Sequence, residues 1–175
     1  MNTAVDRDAL TTYLNDHLAG SVAALDLMDH LAEGEQEPGF EAWLAELRAD
    51  VKQEQRTLQE LVDSIGSENP VAQAMAWMGE KMARLKVGRS AADPASLRRF
   101  EALEALALGF CGRRMLWRTL AHLAEHSPLR SGLSFDELAD RVEPHIAALE
   151  KLRLQAALDA LTRPDDAETD EVARG

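Results

Sequence analysis

The residues able to do chemistry in this chain are few, and they sit in apolar surroundings. Residues 100–111, FEALEALALGFC, place Glu101 and Glu104 three positions apart in an almost wholly apolar run. A helix would set both carboxylates on one face. Buried carboxylate pairs serve as metal ligands or as acid/base groups. Three further polar residues interrupt apolar stripes. His17 lies beside Leu14 and Leu18, Glu54 within Leu47, Val51, Leu58 and Leu61, and His145 within Leu138, Val142, Leu149 and Leu152. A carboxylate flanked by two imidazoles can hold iron, manganese or zinc, or a small ligand. It can equally form a buried, charge-paired cluster, because an unpartnered buried carboxylate is costly.

The elements that position these residues are helices. No stretch combines β-branched alternation with hairpin turn signals, whereas helix punctuation is frequent. A first helix is expected over about Arg7 to Glu33, closed by Gly34, and a second from Pro38 to Ile65, stopped by Gly66. Asn69-Pro70 opens a shorter helix ending near Val87-Gly88. Asp93-Pro94 opens the longest, to about His126. Ser134 and Glu137 form a capping box for the last, which runs through Pro144 to about Thr162 before Pro164. Pro144 removes one backbone donor and should kink that helix beside His145. Residues 1–163 read as one helical-bundle domain and 164–175 as an acidic, flexible tail.

Short connections make the first two and the last two long helices antiparallel hairpins. The long connection between the hairpins carries the chain back along the bundle. The chain is thus expected to be an all-α four-helix bundle with a short crossover helix. At 1.5 Å rise per residue, up-down-down-up directions set His17, Glu54 and His145 at one level, each about ten residues from the same end. Glu101 and Glu104 fall roughly 15–20 Å from that layer. Lys81, Arg84 and Lys86 of the crossover, or Arg98, are then natural partners for the glutamates.

Two hairpins and one crossover resemble the ferritin-like superfamily over residues 7–162. Tyr13 to Gly20, YLNDHLAG, is similar to the opening helix of bacterial ferritin-like proteins. That resemblance implies a di-metal centre built from two single glutamates and two Glu-x-x-His motifs. The sequence contains no Glu-x-x-His: Glu54 is followed three positions on by Thr57, and Glu143 by Ile146. The branch resembled is therefore one without the di-metal motifs, and no cofactor is expected. Iron, manganese or zinc enters only under an alternative reading in which His17, Glu54, Glu104 and His145 are divergent ligands.

Other signals bound the function. His122 and His126 stand at i and i+4 in HLAEH, a chelating spacing with no evident third ligand, and both suit a helix C-terminus. Cys111 lies on an apolar face and is expected to be an inert buried thiol, and one cysteine excludes an internal disulfide. Met75, Trp77, Met78 and Met82 read as core packing for the crossover. There is no Gly-rich phosphate loop, nucleophile elbow or paired CxxC, so catalysis has no positive support. The formal net charge of −12 argues against nucleic-acid or anionic-membrane partners. It is uneven: residues 1–70 hold 15 acids and 4 bases, while 71–130 hold 5 acids and 10 bases. An acidic first unit packing beside a basic middle one accounts for that split. The apolar run 102–111 implies burial of the fourth helix on several sides, by its own bundle, the crossover helix or another subunit. The sequence thus points to a cytoplasmic, non-catalytic bundle acting through self-association as a dimer or through an unidentified protein partner. The alternative is a metal- or small-ligand-binding bundle with its site in the core.

Overall fold

The computed structural model describes residues 4–33, 39–65, 94–127 and 132–163. They form four helices and no strand: α1 (Arg7–Ala32), α2 (Phe40–Ile65), α3 (Ala95–His126) and α4 (Phe135–Leu161). The expected crossover helix, with its methionines and basic residues, and the tail after Arg163 lie outside the described residues.

Local chemistry sets the boundaries. Asp6 caps α1 by accepting from the backbone N–H of Ala9 at 3.0 Å. Ser134 caps α4 by accepting from Glu137 N at 3.3 Å, the first half of the expected capping box. The helix α2 starts at Phe40, two residues after the expected Pro38, because Gly39 turns the chain at φ 90°, a conformation that L side chains avoid. In α3 the N-cap position is Pro94, which has no side-chain cap. The helix α4 continues through Pro144.

Pairwise contacts fix the directions. On α1 and α2, Asp29 meets Arg48 while Ser21 meets Gln55, so the two run antiparallel. On α3 and α4, Glu104 meets Arg153 while Arg114 meets Glu143, again antiparallel. Between α2 and α3, Arg99 lies over the Phe40 ring, and Arg113, an equal distance further along, pairs with Glu54. Those helices are therefore parallel, and the end of α2 and the start of α3 lie at opposite ends of the bundle. The order is up, down, down, up, as the connection lengths imply. With 26 residues each, α1 and α2 measure about 39 Å.

The apolar stripes meet in one core that includes Leu14, Met28, Leu44, Val51, Leu103, Phe110, Trp117 and Leu149, each at most 2% exposed. Burial of side chains of this size stabilises by about 1.5–3 kcal/mol each before the entropy of ordering is set against it. The helix α3 packs most extensively on α4 and also on α1. Within the single chain it is not enclosed on every side. Leu108 is 69% exposed and Met115 63%, on its outer face. Among the described residues no helix is long and apolar enough to cross a membrane.

Candidate functional site

A solvent-open cleft of about 220 Å³ separates α1, α2 and α3. Glu54, Leu58, Phe110, Arg113 and Leu116 line it with Ala24, and Asp16, His17, Ser21 and Gln55 add polar groups. Three glycines, Gly20 on α1 and Gly109 and Gly112 on α3, border it as well. Gly20 and Gly109 are exposed and mark its mouth. A Cβ at any of the three would meet nothing within 4 Å, so no neighbour demands glycine there. Each glycine weakens its helix by about 0.8–1.0 kcal/mol relative to alanine. What they supply in return is space.

The polar centre is Arg113. It is 8% exposed, and its Nε lies 3.0 Å from Glu54 Oε2. That same carboxylate oxygen accepts from the Trp117 indole N–H at 3.3 Å. The guanidinium also lies over the Phe110 ring, 4.6 Å from its centroid, where the ring face favours a cation. Its Nη1 is buried and has no hydrogen-bond partner. A buried N–H without an acceptor loses its hydration with nothing in exchange, a cost of about 1–3 kcal/mol and more for a charged group.

Electrostatics follow from burial. Burial pushes the Glu54 carboxyl above its usual range; Arg113, the Trp117 hydrogen bond and Arg141 oppose the shift, and Asp50 adds to it. Burial likewise lowers the Arg113 guanidinium, against the pull of Glu54 and Asp50. His17 is lowered by burial first and by the Arg113 charge as well, against Asp16, which keeps its imidazole neutral at pH 7. Its ring meets Tyr13 edge-on at 4.8 Å. Ser21 donates to the Leu18 carbonyl at 2.6 Å and accepts from Gln55 Nε2 at 2.8 Å, which fixes the wall between α1 and α2.

Of the residues singled out in the sequence, the structure brings His17 and Glu54 to this one cleft. His145 is set aside: its Nε2 lies 3.0 Å from Asp50 Oδ2, and its ring meets the edge of Phe110 at 5.8 Å. Glu104 pairs with Arg153 on α4 at 3.5 Å, while the expected partners Lys81, Arg84 and Lys86 lie outside the described residues. Glu101 is exposed. The four candidate ligands His17, Glu54, Glu104 and His145 therefore do not converge. A cation at Glu54 would also face the Arg113 guanidinium already on that carboxylate. These residues do not fit a ferritin-like di-metal centre. Among the described residues, the one group of three or more whose ligand atoms lie within 4.8 Å of one another is His122, Glu125 and His126, all exposed on the last turns of α3. The structure supplies Glu125 as the third group next to the HLAEH histidines, and His126 Nδ1 is 2.9 Å from the His122 carbonyl. Cys111 is half-buried and free.

Arg113 was legible only in outline. It falls in the series Leu106, Phe110, Arg113, Trp117, Leu120, a charge in the middle of the most apolar stripe of α3. That position is the signal for a buried, paired arginine. No family model, no curated protein and no solved structure matches this chain.

Proposed function

We propose that this protein is a ferritin-like bundle that binds a small molecule in the cleft between α1, α2 and α3 and performs no metal chemistry there. The observation that carries the reading is the conjunction of three helix-interior glycines with the side chains of Glu54, Phe110 and Arg113 around one open cleft of about 220 Å³. Glycines that no steric contact requires weaken their helices. That cost is offset if the cleft is filled by a ligand. The ferritin-like assignment is supported by the up-down-down-up order of the helices. With no nucleophile–base pair in the cleft, binding rather than catalysis is the function proposed. An amide-resolved NMR titration with a fragment library tests it. Shifts confined to Gly20, Gly109, Gly112 and the Trp117 indole are expected, and Gly109→Leu should abolish them. Fragments that bind Gly109→Leu as well as the parent chain, or none that touches these signals, would sink the reading.

A second reading, self-association as a dimer, has its own observation. Leu108 and Met115 on α3, with Leu154, Leu158 and Leu161 on α4, are each more than half exposed. Apolar surface of that extent on adjacent helices is what a second subunit covers.

A further inference from the structure

The end of α3 carries a group of side chains in which the cleft has no part. We infer that His122, Glu125 and His126 form a surface site for one divalent transition-metal ion of the kind that favours imidazole, zinc or copper(II). Positions i, i+3 and i+4 share one face of the helix, and one ligand atom from each residue lies within 4.8 Å of the other two. Donors on a tetrahedral zinc, each about 2.0–2.1 Å from the ion, stand about 3.3 Å apart. Exposed side chains reach that geometry by small rotations, and the two imidazole rings are 4.4 Å apart between centroids. His126 is also oriented. Its Nδ1 lies 2.9 Å from the His122 carbonyl oxygen, which can only accept, so in the neutral ring Nδ1 carries the proton and Nε2 keeps its lone pair. A backbone carbonyl that holds one ring nitrogen while the other binds the ion is the common outer shell of a metal-bound histidine. Glu125 gives a separate indication. It stands in the last turn of α3, where the helix dipole is negative and a carboxylate is disfavoured. A cation held there reverses that penalty and joins the carboxylate to His122, whose Nδ1 is 3.7 Å from Glu125 Oε2. Two imidazoles and one carboxylate suit zinc or copper, whereas magnesium and calcium take oxygen ligands. His122 lies ten residues beyond Gly112 of the cleft, about 15 Å along the axis, so this site is independent of the binding reading above.

Zinc titrated into the full chain without an affinity tag, followed by calorimetry and by the histidine ring nitrogens in NMR, tests the site. One ion per chain is expected, with shifts at the His122 and His126 rings. His30 is the internal control. It closes α1 with the same bond, Nδ1 to the Asp26 carbonyl at 2.7 Å, but has no imidazole one turn away, and its ring signals should stay in place. His122→Asn and His126→Asn should each weaken binding roughly tenfold or more, and Glu125→Gln by a smaller factor. Copper(II) should bind more tightly than zinc, and magnesium at millimolar concentration should leave the rings unmoved. All three positions are exposed, so the variants should keep the fold, which circular dichroism checks. Zinc that binds the double variant His122→Asn with His126→Asn as tightly as the parent chain overturns the inference. So does zinc that shifts His30 equally, or that fails to bind at millimolar concentration. Unaltered affinity in Glu125→Gln overturns the three-ligand assignment, and magnesium moving the rings as zinc does overturns the choice of ion. The cleft reading stands under each of these results.

Discussion

Arg113 and Glu54 form the pair on which the interior of this bundle turns, and breaking it is the most discriminating test. The side chains are 9% and 12% exposed, so removal of either partner leaves a charge in a place water barely reaches. Loss of one member of such a pair costs about 3–5 kcal/mol. Arg113→Met should fall near the lower end, about 3 kcal/mol, because Glu54 keeps the Trp117 N–H at 3.3 Å and the favourable field of Arg141. Glu54→Leu should cost more, since it strands the guanidinium and also leaves the Trp117 indole without its acceptor. The double variant removes both charges and should lose less than either single change, a coupling of at least about 2 kcal/mol. Urea unfolding at pH 7 followed by circular dichroism measures all four corners of the cycle. In thermal terms the Arg113→Met change corresponds to about 6–12 °C in Tm for a chain of this size. Single effects that add within about 0.5 kcal/mol, or an Arg113→Met cost below about 1 kcal/mol, would refute the argument. Either result would mean that the pair behaves as an exposed surface bridge.

Other consequences are open to measurement. Gly20→Ala, Gly109→Ala and Gly112→Ala should each stabilise the bundle by about 0.5–1 kcal/mol, since the added Cβ meets nothing within 4 Å and helix propensity improves. A loss of stability on denaturant melting would show that the glycines serve packing. For His17, the folded pKa is lowered from 6.5, so below that value the unfolded chain takes up the proton first. Stability is then full above pH 6.5 and falls as the pH drops through the folded pKa, and His17→Gln should remove this slope from a pH series of melts. For Glu54 the sign is opposite: its pKa is raised above 4.5, so its contribution is lost as the pH rises through the folded value, and Glu54→Gln should flatten that limb. If the exposed leucines join two copies, Leu108→Glu with Leu158→Glu should convert a dimer into a monomer in light scattering. A parent chain already monomeric at micromolar concentration would remove the self-association reading.

How far the sequence discloses this molecule depends on what each signal encodes. Apolar periodicity records which face of a helix is buried, and Leu47, Val51, Leu58 and Leu61 of α2 are all buried as their spacing requires. Connection length records direction, and the parallel α2–α3 pair follows from it. Level arithmetic at 1.5 Å per residue was enough to bring His17 and Glu54 to one cleft. It did not foresee where His145 turns, because level along the axis says nothing of which neighbour a side chain meets. Asp50, one turn from Glu54, captures that imidazole at 3.0 Å. The nearly all-apolar run 102–111 did not reveal that Leu108 faces outward, since Glu104, one turn earlier on the same face, reads as a charge docked against a basic partner and not as the mark of an open face. The cleft itself was invisible for a related reason. Gly20, Gly109 and Gly112 show in a sequence as weak helix formers, and only coordinates reveal that the volume they vacate is shared.

The parallel arrangement of α2 and α3 also bears on how the chain reaches this state. Contacts within each hairpin are local: Asp29 to Arg48 spans 19 positions and Arg114 to Glu143 spans 29. The link from Trp117 to Glu54 spans 63, and it joins one hairpin to the other. Local contacts close with less chain entropy, so the topology favours two hairpins that form early and dock late. The cleft lies along the docking seam, and its Arg113–Glu54 pair belongs to the final event. Substitutions there should accelerate unfolding while leaving the folding rate nearly unchanged. A molecule bound in the cleft would act as a clasp, lengthening the lifetime of the docked form more than it hastens its arrival.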